Sequence, residues 1–155
     1  MADVEEQVEN EELDAQREAR RRFALAQIRQ YPDAALKLEA RPVEQFDDEL
    51  VSLVARMKRL MVDASGIGLA ATQVGVLQRL FVFQPGEDED AVAVVNPEIV
   101  ERSTETDVDD EGCLSIQGIL APVERAVSVT LVGRDENGGD VRYELEDIYA
   151  RAAQH

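Results

Sequence analysis

Residues 127–145, VSVTLVGRDENGGDVRYEL, set two runs rich in β-branched residues on either side of Asn137-Gly138. Asn-Gly between such runs is a strong hairpin signal, because both residues tolerate the positive φ of a tight turn. Val127–Arg134 and Val141–Leu145 are therefore expected to pair antiparallel. Working upstream, Arg79–Phe83, Ala91–Val95, Ile99–Arg102 and a continuous Val123–Val132 also read as short strands. Asn96-Pro97 is expected to stop the second of these, and the tetrad Glu87-Asp88-Glu89-Asp90 to form a charged loop.

Ahead of the strands lies the clearest helix. Leu50, Leu53, Val54, Met57, Leu60 and Met61 recur on one stripe, and Glu49, Ser52, Arg56, Arg59 and Asp63 occupy the opposite face. Asp47 or Asp48 is placed to cap it. The two methionines read as core filler. An earlier helix is expected over Glu12–Gln30, ended by Tyr31-Pro32-Asp33, with residues 34–46 irregular. Its Arg20-Arg21-Arg22 cluster reads as a solvated face. A last helix is expected over Asp147–His155, with Ile148, Ala152 and His155 on one face and Asp147 as its cap. Helices first, then antiparallel strands, then a helix argue for an α+β fold.

The 155 residues suit one domain, and 45% of them are hydrophobic, enough for a core. Net charge is −17. Such a surface is repelled by nucleic-acid phosphate and by anionic lipid, so neither is an expected partner. No apolar run approaches the ~20 residues of a membrane span. The lone cysteine, Cys113, allows no internal disulfide, and the N-terminus has no leader or transit pattern, so the cytoplasm is the expected location. The first twenty residues carry eight acids against two bases, Arg17 and Arg20. They read as an acidic extension, disordered or helical, with the first dozen residues frayed; residues 21–155 form the domain.

Taken singly, the candidate functional residues are ambiguous. Gly66-Ile67-Gly68 lacks the third glycine of a dinucleotide site and the Lys of a phosphate loop, and alone it reads as a tight turn. Cys113, in Glu111-Gly112-Cys113-Leu114-Ser115, alone reads as a buried structural thiol. His155, the only histidine, alone reads as an exposed bystander. One thiol and one imidazole fall short of the three protein ligands of a catalytic zinc-type site.

Together and in order, these segments resemble the peptide deformylase family. Gly66-Ile67-Gly68-Leu69-Ala70-Ala71-Thr72-Gln73 is similar to its first signature, Gly-x-Gly-Leu-Ala-Ala-x-Gln. Glu111-Gly112-Cys113-Leu114-Ser115 is similar to its second, Glu-Gly-Cys-x-Ser. Tyr31-Pro32-Asp33, Pro42-Val43, Val74-Gly75 and Asn96-Pro97 agree in the flanks, and the resemblance runs from about Ile28 to His155. Gln154-His155 opens the third signature, whose Glu and second His have no counterpart among these residues. Gln117-Gly118 stands where the family commonly has Pro-Gly, and residues 1–20 extend beyond its usual start.

The resemblance implies antiparallel sheets around a C-terminal metal-binding helix. It also implies a metal hydrolase that removes the formyl group from the N-terminal methionine of new proteins, releasing formate. Its metal would be Fe(II), with Zn, Ni or Co as substitutes. Cys113 and His155 would be ligands. The Gln73 side-chain amide and the Leu114 backbone N–H would meet the oxyanion. Gly66, Ile67 and Gly68 would lie along the substrate backbone, with Gly112 facing them. Nascent formyl-methionyl peptides would be the partners, met in association with the ribosome in a bacterial cytoplasm. Because the third signature is incomplete here, the 155 residues alone are expected to show negligible activity and to be a fragment of a longer product. The alternative is an inactive module that binds peptide N-termini or a partner.

Overall fold

A computed structural model describes residues 2–155. Helix α1 (Ala2–Ala26) leads into a turn and a short 3₁₀ segment, Ala34–Lys37, and α2 spans Asp48–Asp63. Seven strands follow: β1 (Gly68–Ala70), β2 (Leu80–Phe83), β3 (Val92–Arg102), β4 (Thr106–Cys113), β5 (Ile116–Ala126), β6 (Ser128–Arg134) and β7 (Asp140–Glu146). Helix α3 (Asp147–Gln154) comes after them. The α+β expectation holds. All strand pairs are antiparallel, in a five-stranded sheet of order β1-β2-β3-β6-β7 and a separate β4-β5 hairpin. Among the described residues, no helix is long and apolar enough to cross a membrane.

The five-stranded sheet carries a core on each face, and strand alternation sorts the residues between them. Leu80, Val82, Ala93 and Val95 face Val54, Met57, Leu60 and Met61 of α2, with Ala24 near the end of α1 and Ile28 just after it. Phe83, Val94, Val129, Leu131 and Leu145 face the other way, onto Ala150 of α3. Helix α2 forms as the sequence implies: Asp47 accepts from the Leu50 N–H at 3.0 Å, and the apolar stripe is the buried one.

Several elements differ from expectation. Residues 3–12 are helical, not frayed, while Met1 lies outside the described residues. The segment is rich in good helix formers, and Asp3 and Glu5 sit in the first turn, where they complement the helix dipole. The same helix stops at Ala26, short of Gln30.

Asn96-Pro97 does not end its strand. β3 runs through it with a register shift between Val95 and Glu98, so the two expected strands are one. Gly133 makes the bulge possible: a Cβ there would lie 2.6 Å from Val94 Cγ1 and 2.8 Å from the Val95 carbonyl. Conversely, Val123–Val132 is two strands in different sheets. The chain breaks at Val127, whose N–H donates to Glu105 O and whose carbonyl accepts from Asp147 N–H. Asp147 does not cap α3. It sits at φ +52, and the preceding Glu146 makes no side-chain capping bond.

Asn96, at φ +52, has a second task. Its Oδ1 accepts from Val43 N–H at 2.8 Å and its Nδ2 donates to Val43 O at 3.0 Å, tying the segment before α2 onto the sheet. Asn96→Ala removes both bonds and leaves a Cβ residue without a polar side chain in the left-handed region. Urea unfolding of this variant should show a loss of about 2–3 kcal/mol.

Candidate active site

Gln73, Cys113 and His155 come from three separate elements. Gln73 lies in a single 3₁₀ turn, Ala71–Val74, directly after β1. Its Oε1 accepts from Ala70 N–H at 2.9 Å. That bond fixes the amide orientation, so Nε2 points the other way, donating to Ser115 Oγ at 3.0 Å with Cys113 Sγ at 3.7 Å. Ser115 is buried and steers Gln73. Cys113 ends β4 at the tip of the hairpin, pairing with Ile116 across a turn made of Leu114 and Ser115. The turn is held from outside: Gln30 Nε2 and Gln117 Nε2 both donate to Leu114 O, at 2.8 and 2.7 Å, and Tyr31 N–H donates to Ser115 O.

His155 follows α3. Its Nδ1 lies 2.8 Å from Glu111 Oε1. Glu111 also accepts from Arg125 Nε and Nη2, both at 3.0 Å, and from Arg151 Nη1 at 2.7 Å. Burial alone would raise the Glu111 pKa, but hydrogen bonds from Arg125, His155 and Arg151 outweigh it and hold the carboxyl at about 2. With Nδ1–H donated to that carboxylate, Nε2 is the ring nitrogen left to act on the cleft side. The Cys113 thiol is lowered, chiefly by its hydrogen bond with His155 and against burial. The same bond, against desolvation and helped by Glu111, raises His155 to about 9.

A lowered thiol and an imidazole with one nitrogen secured are the donor chemistry of a softer transition metal. Cys113 and His155 fit such an ion. Glu111 is committed to its arginines, and among the described residues no group of three His, Cys, Asp or Glu side chains is placed to hold a metal.

The donors open into a cleft of about 930 Å³. Gly66, Ile67, Gly68, Gly112, Leu114 and Gln73 all line it, so every residue singled out in the sequence converges on one place. β1 is an edge strand of the five-stranded sheet; Gly66 and Ile67 lead into it and Gly68 begins it. A Cβ on Gly66 would come within 2.7 Å of Leu114 Cδ1, and one on Gly112 within 3.1 Å of Leu120 Cδ2. Ile116, Ile119, Leu120 and Ile148 add exposed apolar surface around the cleft. The expected face of α3 is real: Ile148, Ala152 and His155 line the cleft, and Ala150 turns to the core.

Sequence reading missed the four-way link at Glu111, because its two arginines lie on β5 and α3. It also missed Gln154, which anchors α3 by bonding both backbone groups of Ala126, at 3.0 and 2.9 Å. The motif positions of Glu111, Ser115 and Gln154 were the available signal.

The Polypeptide deformylase family model matches residues 25–155. A peptide deformylase from Clostridium botulinum is 42% identical over 133 residues, covering 86% of this chain and 88% of the relative. One from Caldicellulosiruptor bescii is 45% identical over 133 residues, covering 86% and 78%. The crystal structure of peptide deformylase from Thermotoga maritima superposes with a TM-score of 0.78 at 42% identity, covering 83% of this chain and 86% of that one.

The Glu111 link sets a stability prediction with a defined pH window. Glu111→Gln leaves Arg125 and Arg151 without an anion and should cost about 2–4 kcal/mol at pH 6 by urea unfolding. The folded pKa lies below the ordinary 4.5, so the carboxylate's contribution is complete above 4.5 and is lost as pH falls toward 2. The gap between wild type and variant should narrow over that interval.

Proposed function

Since the chain belongs to the peptide deformylase family, we propose a division of labour among its cleft residues in the family's reaction. That reaction removes the N-formyl group from the N-terminal formyl-methionine of newly synthesised proteins and releases formate. The observation that carries the assignment is the meeting of the Gln73 amide, the Cys113 thiol and the His155 imidazole in one cleft.

The family is metal-dependent. Cys113 and His155 would hold the ion, and the proposed metal is Fe(II), with Zn, Ni or Co able to replace it. When bound, such an ion supplies Lewis acidity and makes hydroxide available near neutral pH. Glu111 keeps the His155 ring in the tautomer that presents Nε2.

Gln73 is the proposed oxyanion donor. Its carbonyl oxygen is occupied by Ala70 N–H, so the side chain can offer only N–H toward Cys113. As the formyl carbon becomes tetrahedral, its oxygen gains charge and this N–H stabilises it without reorganisation. Leu114 N–H is the proposed second donor, supported by the turn that Gln30 and Gln117 brace. Hydroxide adds to the formyl carbon; on collapse the C–N bond breaks, the proton of the added hydroxide passes to the leaving nitrogen, and formate and the free methionine amine separate.

Gly66, Ile67 and Gly68, with Gly112 opposite, are the proposed track for the peptide backbone. An open edge strand can add an extended peptide through main-chain hydrogen bonds, and that mode tolerates varied side chains after the methionine. Residues 21–155 are the proposed catalytic domain, with residues 1–20 an acidic extension. Nascent chains as substrates support a bacterial cytoplasmic setting with ribosome association.

Two measurements test this reading. Formate release from formyl-Met-Ala-Ser, measured on an anaerobically prepared, Fe(II)-loaded product that also carries the Glu and second His of the third signature, should fall about 10²–10³-fold in kcat for Gln73→Leu, with KM little changed. An unchanged kcat removes Gln73 from the oxyanion role. In the same product, and independently of turnover, Cys113→Ala should abolish one-to-one metal retention after gel filtration, read by elemental analysis. Retention equal to wild type would remove Cys113 as a ligand.

A further inference from the structure

The Arg20-Arg21-Arg22 cluster divides in the structure. Across Asp3–Phe23 every residue is exposed except Arg21, which is half-buried and lines the same cleft as Gln73, Cys113 and His155. It sits on α1, ahead of the segment that the family model matches. The helix is anchored one turn later at Ala24, and Ile28, just past its end, follows into the core. That anchoring fixes where Arg21 stands.

Arg21 is also the cleft cation most available to a ligand. Arg151 is consumed by Glu111 at 2.7 Å, and one nitrogen of Arg79 is tied to Pro97 O at 2.9 Å. The Arg21 partner is Glu18, at 3.5 Å, with both side chains more than 40% exposed. Such an exposed pair is weak and easily exchanged. Glu18 Oε1 is shared with Arg22 at 3.3 Å, so Arg22 keeps it satisfied when Arg21 turns away. On a surface of net charge −17, a placed cation beside the cleft is distinctive.

We propose that Arg21 is a specificity-determining residue that pairs with an acidic side chain of the substrate peptide, downstream of the formyl-methionine. The proposal rests on the reading of the cleft as the formyl-peptide site. It makes α1 a wall of that site, and it gives an acidic protein a preference for acidic nascent chains.

Binding can be read by fluorescence anisotropy with C-terminally labelled, amidated formyl-Met tetrapeptides. Three sets are needed, with Asp, Lys or Ser placed in turn at residues two, three and four. Wild type should bind the Asp peptide about 3-fold more tightly than the Lys peptide at one of these positions, less so at high salt. Arg21→Ala should remove the preference and leave the Ser peptides unchanged. Arg21→Lys should keep most of it, Glu18→Gln should strengthen it, and Arg20→Ala and Arg79→Ala should leave it intact. Equal binding of Asp and Lys peptides by wild type, or a preference that survives Arg21→Ala, overturns the proposal. Failure of the Ser peptides to bind at all overturns the formyl-peptide reading itself, and the proposal with it; the two failures are thereby distinct.

Discussion

One carboxylate, that of Glu111, receives hydrogen bonds from strand β5 through Arg125 and from helix α3 through Arg151, and it meets the ring of His155. The hairpin β4-β5 has no strand partner in the five-stranded sheet, so its position depends on contacts of this kind. Arg151 strengthens the tie by donating to Val123 O and Asp107 O on both hairpin strands, and Gln154 closes it at Ala126. A buried carboxylate with this many charge-assisted partners is costly to disturb, because removing it strands two guanidiniums. The site geometry follows: Cys113 lies two residues from Glu111, and His155 one turn from Arg151.

Gln73 depends on a different support. Its 3₁₀ turn is pinned through its own carbonyl, which accepts from Arg29 N–H at 2.7 Å, and Gln30 reaches the Cys113 turn from the same stretch. The segment after α1 thus braces both the amide and the thiol turn. The cleft is assembled from three directions: the sheet edge, the hairpin tip and α3.

Local pattern was legible where one element carries its own signal. The stripe on α2 needed only a 3.6-residue period, and Asn137-Gly138 needed only its dipeptide. Chain direction between sheets was not legible. Val123–Val132 is uniformly strand-like, and nothing local marks Val127 as the crossing point. β4 went unnoticed because Asp107, Asp109 and Asp110 lack the usual strand character; pairing with β5 makes it a strand. Asn96-Pro97 misled because a stop signal and a bulge share the same residues. For the site, the motifs located Gln73, Cys113 and His155, whereas the role of Glu111 appears only when Arg125 and Arg151 arrive from separate elements.

The placement of α3 after all seven strands has a consequence for assembly. During synthesis the thiol, the amide and the glycine track emerge well before the imidazole, and until α3 docks, Glu111 lacks Arg151. Until then the cleft has its sulfur on a braced turn with no imidazole beside it. Docking of one short helix delivers the guanidinium and the imidazole together, so the two sides of the cleft are joined in a single step.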